Sequence, residues 1–195
     1  MQNLIANLAK DALQNYPALA SVQLDDHFAI PLALLPQNSS AAVVAQLTQA
    51  ATTVSSSVQA NGRLTLSPAS IDFALNNYAV DWLSWAKLSL FSTFYPQMCR
   101  SIQMRACIQY SLTRCRYRYT SKYFSDEMAY TSRQFANASI APASNVSWIP
   151  GVRGSGQPLT ALKELSGMLD TCDELQTGFV LWCVLQLPSR CSQRH

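Results

Sequence analysis

The sequence predicts a mainly α fold: a helical bundle with extended N-terminal and loop arms and a few short strands. Three observations carry that expectation. Apolar residues recur at steps of three and four in several windows, the period of a helix buried along one face. Proline and glycine fall between those windows and punctuate them. Charged residues make up only 13% of the chain, about half the ~25% usual in globular proteins, so much of the surface is expected to be hidden against copies of the same chain. With 195 residues the chain can bury one sizeable core, and a single domain over 1–195 is expected.

Taken in order, residues 3–16 predict a short helix with Leu4, Ile5, Leu8 and Ala12 on one face and Pro17 as the stop. Residues 17–38 read as an extended arm or loop. Val22, Leu24, Phe28 and Ile30 share a parity there, and Pro17, Pro31 and Pro36 exclude a long helix. A second helix starts after Ser39 or Ser40, either of which can cap it. It carries the seam Val44, Leu47, Ala51, Val54 and Val58, and Asn61-Gly62 supplies the left-handed exit.

Ser67-Pro68 then predicts the start of a long central helix running to Phe94 or Tyr95. Its periodicity is the best formed in the chain: Ile71, Leu75, Tyr78, Trp82 and Trp85. The two tryptophans lie on the seam, so they are expected in the core. Pro96 can open a further helix, with Cys99, Ile102, Ala106, Tyr110, Tyr117 and Phe124 on one apolar face. A strand over 114–119 serves equally well locally, with Arg114, Arg116 and Arg118 on one side.

Met128–Ala138 continues as helix, and 139–158 reads as an irregular loop with three prolines and three glycines. Its Gly151–Gly156 stretch matches neither the P-loop nor GxGxxG, and no hydrophobic strand is expected to lead into it. Leu159, Leu162, Leu165, Leu169 and Cys172 mark an amphipathic helix after Pro158, with Asp170, Asp173 and Glu174 at its dipole-unfavourable end. Phe179–Leu187 is apolar enough for a buried helix or strand, and Pro188 closes it.

Charge supplies the functional clue. Lys87–Lys122 holds seven of the chain's 14 bases and none of its 11 acids, so the net +3 hides a segment of +7 against a remainder of −4. Arg114-Cys115-Arg116-Tyr117-Arg118-Tyr119 interleaves guanidinium groups with rings. Arginines neutralise phosphates without regard to sequence, and Tyr110, Tyr117, Tyr119 and Tyr123 offer faces on which unpaired bases stack. Arg100, Arg105, Arg114, Arg116, Arg118 and Lys122 are therefore the candidate residues for contacting single-stranded RNA. The rival for this charge is the acidic end of the 159–172 helix.

Other chemistries have little support. Only His27 and His195 are available as general bases, neither in a nucleophile motif, so no enzyme and no cofactor are expected. Asp25-Asp26 beside His27 reads as a solvated turn. The six cysteines contain no CxxC pair, which argues against zinc. The N-terminus lacks a signal peptide's features, so free thiols in a reducing compartment are expected. The longest apolar run, Phe179–Val184 extended to Leu187, is about half the ~20 residues a membrane crossing needs.

Low charge, abundant Ser, Ala, Thr, Gln and Asn, helical seams, proline-broken arms and one internal basic tract resemble the coat proteins of rod-shaped or filamentous RNA viruses. Locally, Tyr123-Phe124-Ser125-Asp126-Glu127-Met128-Ala129-Tyr130 is similar to the FSD…AY stretch of potyvirus-like coats. The RFP-type element of tobamovirus-like coats is missing. The resemblance implies a mainly helical subunit that self-assembles around single-stranded RNA, found in the virion and the host cytoplasm. It assigns no residue a role. Two alternatives stand beside it: an icosahedral capsid protein, which needs about eight alternating strands, and a non-enzymatic adaptor acting through 139–158.

Overall fold

A computed structural model describes residues 2–25, 29, 31–35, 40–58, 63–98, 121–140, 146–153 and 160–182. It corrects the expected fold class. The chain is mixed α/β, with a parallel sheet at its centre, rather than a mainly α bundle. Its described elements are α1 (Gln2–Asn15), β1 (Ser21–Asp25), α2 (Ser40–Val58), β2 (Arg63–Ser67), α3 (Ile71–Tyr78) and α4 (Trp82–Lys87). They continue with β3 (Thr93–Phe94), α5 (Ser121–Asn137), β4 (Ser147–Trp148), β5 (Gly151–Arg153), α6 (Thr160–Glu174) and β6 (Val180–Trp182).

The strands line up in chain order. β1, β2, β3 and β4 pair parallel as one sheet, and β5 pairs parallel with β6. Bridges from Gln97 to Ala69 and to Gly151 carry the pairing from β2 through β3 to β5. The chain is thus a series of helix–strand units wound in one direction: α1–β1, α2–β2, α3/α4–β3, α5–β4/β5 and α6–β6. Parallel neighbours need a crossover, and each crossover here contains helix.

The register explains why the helices share one side. Val22 and Leu24 sit opposite Leu64 and Leu66, Leu66 opposite Phe94, and Phe94 opposite Trp148. Successive side chains alternate faces, so these six project together. They pack in one cluster with Ala6, Ala9 and Leu13 of α1, Val54 and Val58 of α2, Ile71 of α3, Trp82 and Trp85 of α4, and Phe135 of α5. A second cluster, Met98, Phe124, Met128, Val152, Met168 and Cys172, joins α5 and α6 to the later strands, with Trp148 touching both.

An aromatic chain runs through the main cluster. Trp82 stacks on Phe94 at 5.4 Å between ring centroids and lies 5.8 Å from Phe135. Phe91 joins Phe94 to Trp85, and Phe135 meets Trp148. The indole N–H groups find partners too: Trp82 donates to the Ala69 carbonyl at 3.1 Å and Trp85 to Thr48 Oγ1 at 2.9 Å. Both tryptophans are core residues, as their seam position implied.

The long central helix expected from Ser67-Pro68 does not form. Ser67 ends β2, and the periodic stretch is cut into α3 and α4. Ala79 terminates α3 in the left-handed conformation (φ 56°), and Asp81 caps α4 by accepting from the Ser84 N–H. Pro96, expected to open the next helix, instead lies in the extended continuation of β3, where its carbonyl accepts from Gly151 N–H. Within 139–158, expected to be irregular, the chain forms β4 and β5.

Three other helices end alike. Ser89, Ser139 and Gln176 have φ near 50°. The next residue in each case reaches back five positions: Leu90 N–H to Trp85, Ile140 to Phe135 and Thr177 to Cys172. This is a Schellman closure without the usual glycine. In α2, where the β-branched runs weaken propensity, Thr52 and Thr53 hydroxyls donate to the carbonyls four residues back.

Two stability changes follow. Trp82→Ala is expected to cost about 3–5 kcal/mol, the range for truncating a buried aromatic, in urea melts followed by circular dichroism. Ser139→Gly is expected to stabilise by up to about 1 kcal/mol, because glycine relieves the left-handed strain; a lower midpoint would contradict this account of the α5 terminus.

Candidate nucleic-acid interface

Five of the six candidate phosphate-contacting residues, Arg100, Arg105, Arg114, Arg116 and Arg118, lie outside the described residues, as does the helix or strand expected for them. Lys122 is described. It sits in the first turn of α5 with its side chain 81% exposed, paired to Asp126 at 2.8 Å and 3.0 Å. An exposed i,i+4 pair of this kind contributes at most about 0.5 kcal/mol, so phosphate can displace Asp126 at little cost. Tyr123 is half-buried and hydrogen-bonds to Glu127.

Five of the tract's seven bases fall between Met98, which is 1% exposed, and α5, where Phe124 is fully buried. Both residues belong to the second core cluster. The start of α5 is tied down from α6: the Ser121 N–H donates to Glu164 Oε2. Gly167 makes this approach possible, because a Cβ there would come within 2.6 Å of Ser121 Cβ. Core residues therefore precede and follow the arginines in the chain.

The direction of the strands adds a second constraint. Since every pairing among the described residues is parallel, the carboxyl ends of these strands share one edge of the sheet. The tract follows β3 there, and Gly154-Ser155-Gly156 follows the neighbouring β5, whose last residue is Arg153. β5 lies within the Gly151–Gly156 stretch itself, with Val152 fully buried, and α6 begins at Thr160.

Sequence reasoning also missed the sheet's other face. Gln23, Thr65, Thr93 and Ser147 form one row across four strands. Ser147 Oγ donates to Thr93 Oγ1 at 3.2 Å and Thr65 Oγ1 to the Val22 carbonyl at 3.4 Å. Toward the carboxyl edge, Gln97 Nε2 lies 3.2 Å from Asp25 Oδ1 and 3.2 Å from Ser67 Oγ, linking β1, β2 and β3. The legible signal was the alternation Leu64-Thr65-Leu66-Ser67. It is unlike the continuous apolar runs of a sheet covered on both faces.

Behind the sheet, the N-terminal turn of α3 meets α5. The Tyr130 hydroxyl donates to Asp72 Oδ1 at 2.9 Å. Burial pushes the Glu127 carboxyl above its ordinary value of 4.5; a Tyr123 hydrogen bond opposes the shift, and Asp72 and Asp126 reinforce it. Burial raises Tyr130, as does its bond to Asp72, and burial alone raises the Cys172 thiol. Among the described residues no three His, Cys, Asp or Glu side chains come together to hold a metal. No described helix is long and apolar enough to cross a membrane.

No protein-family model matches the chain, and no curated protein matches it significantly.

A raised Glu127 favours folding while protonated. That contribution is full below pH 4.5 and is lost as pH rises through the folded value. Glu127→Gln is expected to add up to about 1 kcal/mol at neutral pH and to lose this advantage under acid conditions, as read from urea midpoints across that range.

Proposed function

We propose that this chain is a non-enzymatic structural protein that self-assembles and packages single-stranded RNA, the role of a viral coat subunit in the virion and host cytoplasm. The observation that carries the reading is the tract itself: seven bases and no acid in Lys87–Lys122 of a chain otherwise at −4. Arg100, Arg105, Arg114, Arg116, Arg118 and Lys122 contact phosphates, and Tyr110, Tyr117 and Tyr119 stack on bases. The flanks support it, because Met98 and Phe124, on either side of the arginines in the chain, are both core residues. The direction of β3, whose carboxyl end precedes the arginines in the chain, supports it too.

Per-subunit affinity need not be high. Copies aligned along one strand convert each later contact into an effectively intramolecular one. The sparse surface charge, 13% of residues, is the composition expected where copies cover one another.

The test is the salt dependence of binding to a labelled, unstructured RNA. Each phosphate contact on a single strand contributes about −0.7 to the slope of log affinity against log salt. Arg114→Gln with Arg118→Gln is therefore expected to flatten the slope by about 1.4 and to lower the RNA content of purified particles. A wild-type protein with no salt-dependent affinity for single-stranded RNA would overturn the proposal.

A further inference from the structure

The first turns of α5 carry two lines of polar side chains. Lys122 and Asp126 stand four residues apart on one line, and Tyr123, Glu127 and Tyr130 follow at steps of four and three on the next. Such steps stack side chains along one side of a helix. The first line faces water: the Lys122 and Asp126 side chains are 81% and 63% exposed, with Nζ 2.8 Å from Asp126 Oδ2. The second line is half-buried. Tyr130 ties it to the first turn of α3, its hydroxyl donating to Asp72 Oδ1 at 2.9 Å.

The charge on Glu127 is poorly accommodated there. Its carboxylate is partly withdrawn from water and accepts a hydrogen bond from Tyr123. Among the described residues the charges that act on it are both acidic, Asp72 from α3 and Asp126 from its own helix. Tyr130 completes the titratable groups of this cluster. Lys122 is paired to Asp126 instead, and the charged group that α6 brings to the start of α5, Glu164 at the Ser121 N–H, is acidic as well.

The Lys122–Asp126 pair is electrically neutral, and a phosphate changes that. Lys122 is the described member of the residues assigned above to phosphate contact. An exposed i,i+4 pair is held weakly, so a phosphate that takes the ammonium group displaces Asp126. Two negative groups then stand near Glu127 where a neutral pair stood before: the freed Asp126 carboxylate and the phosphate itself. Added like charge disfavours an ionised carboxyl.

We propose that this cluster couples polyanion binding to proton uptake: a phosphate that captures Lys122 drives a proton from solvent onto Glu127, so acid strengthens the grip on a phosphodiester strand. The inference rests on the RNA-binding reading above and supplies that site with a regulator. Its sign follows from linkage. Protonated Glu127 is favoured more in the complex than in the free chain, and what phosphate does for the proton, the proton does for phosphate. Affinity therefore rises as pH falls through the carboxyl's value in the complex. It levels off below the free chain's value, which itself lies above 4.5. A difference of about one unit between the two values is a tenfold change in affinity.

Two measurements on the full chain test this. The first needs no RNA: a carbon NMR titration of the Glu127 carboxyl in the wild type and in Lys122→Gln. Removing the lysine leaves Asp126 uncompensated, as the phosphate does, so the midpoint is expected to move upward. An unmoved midpoint overturns the inference. The second is affinity for a labelled oligouridylate, whose phosphodiesters and bases hold their charge from weakly acid to neutral solution. His27 and His195 titrate in that range, so the comparison is with Glu127→Gln, which carries the charge of the protonated form at every pH. Circular dichroism checks that each variant folds. Relative to this variant, wild-type affinity is expected to gain about tenfold on acidification, and at neutral pH the variant is expected to bind more tightly than the wild type. Equal pH profiles overturn the proton coupling and leave the RNA reading standing. No salt-dependent binding at any pH overturns both.

Discussion

The stack of Trp82 on Phe94 is the contact on which the rest of the fold depends. It joins the helix layer to the third strand, and through Phe135 it reaches α5, whose other end holds the second core. The Trp82 indole also donates to Ala69, so the turn after β2 is fixed by the same side chain. β3 and β4 are two residues long, far too short to be stable as isolated strands. They persist because Phe94 and Trp148 are clamped from above by rings. Packing dictates strand here, and intrinsic preference contributes little.

A one-way series of helix–strand units has a functional consequence. The described helices occupy one face, and the other carries Gln23, Thr65, Thr93 and Ser147, of which Thr65 is buried. The carboxyl ends of the described strands then fall on one edge, toward which β3 and β5 both run. Gln97, bonded to Asp25 and Ser67, ties three strands together at that edge.

Helix positions were legible wherever a stop or start was chemical. Pro17 ended α1, Ser40 opened α2, and the Leu162, Leu165, Leu169 and Cys172 spacing marked α6. The break between α3 and α4 was not, since the residue that makes it is an alanine in a left-handed conformation. Alanine is the best helix former, and nothing local predicts that it will stop one. Val80 explains it. Its side chain is fully buried, and its N–H reaches back to the Ala74 carbonyl, so burial of the next residue offsets the strain. Ser89 followed by buried Leu90, and Ser139 followed by half-buried Ile140, repeat the device.

The sequence by itself determined the amphipathic helices, the burial of Trp82 and Trp85, and the concentration of seven bases in one acid-free segment, because periodicity, capping and charge are local properties. Tertiary structure alone decided that the fold is α/β, that Leu4 and Leu8 face outward while Ala6 and Ala9 face the core, and that β4 and β5 form within 139–158. Strands of two or three residues carry no readable period. Which flank of α1 is buried depends on the close approach of α2 and β1, and small side chains permit that approach where leucines would hold the elements apart.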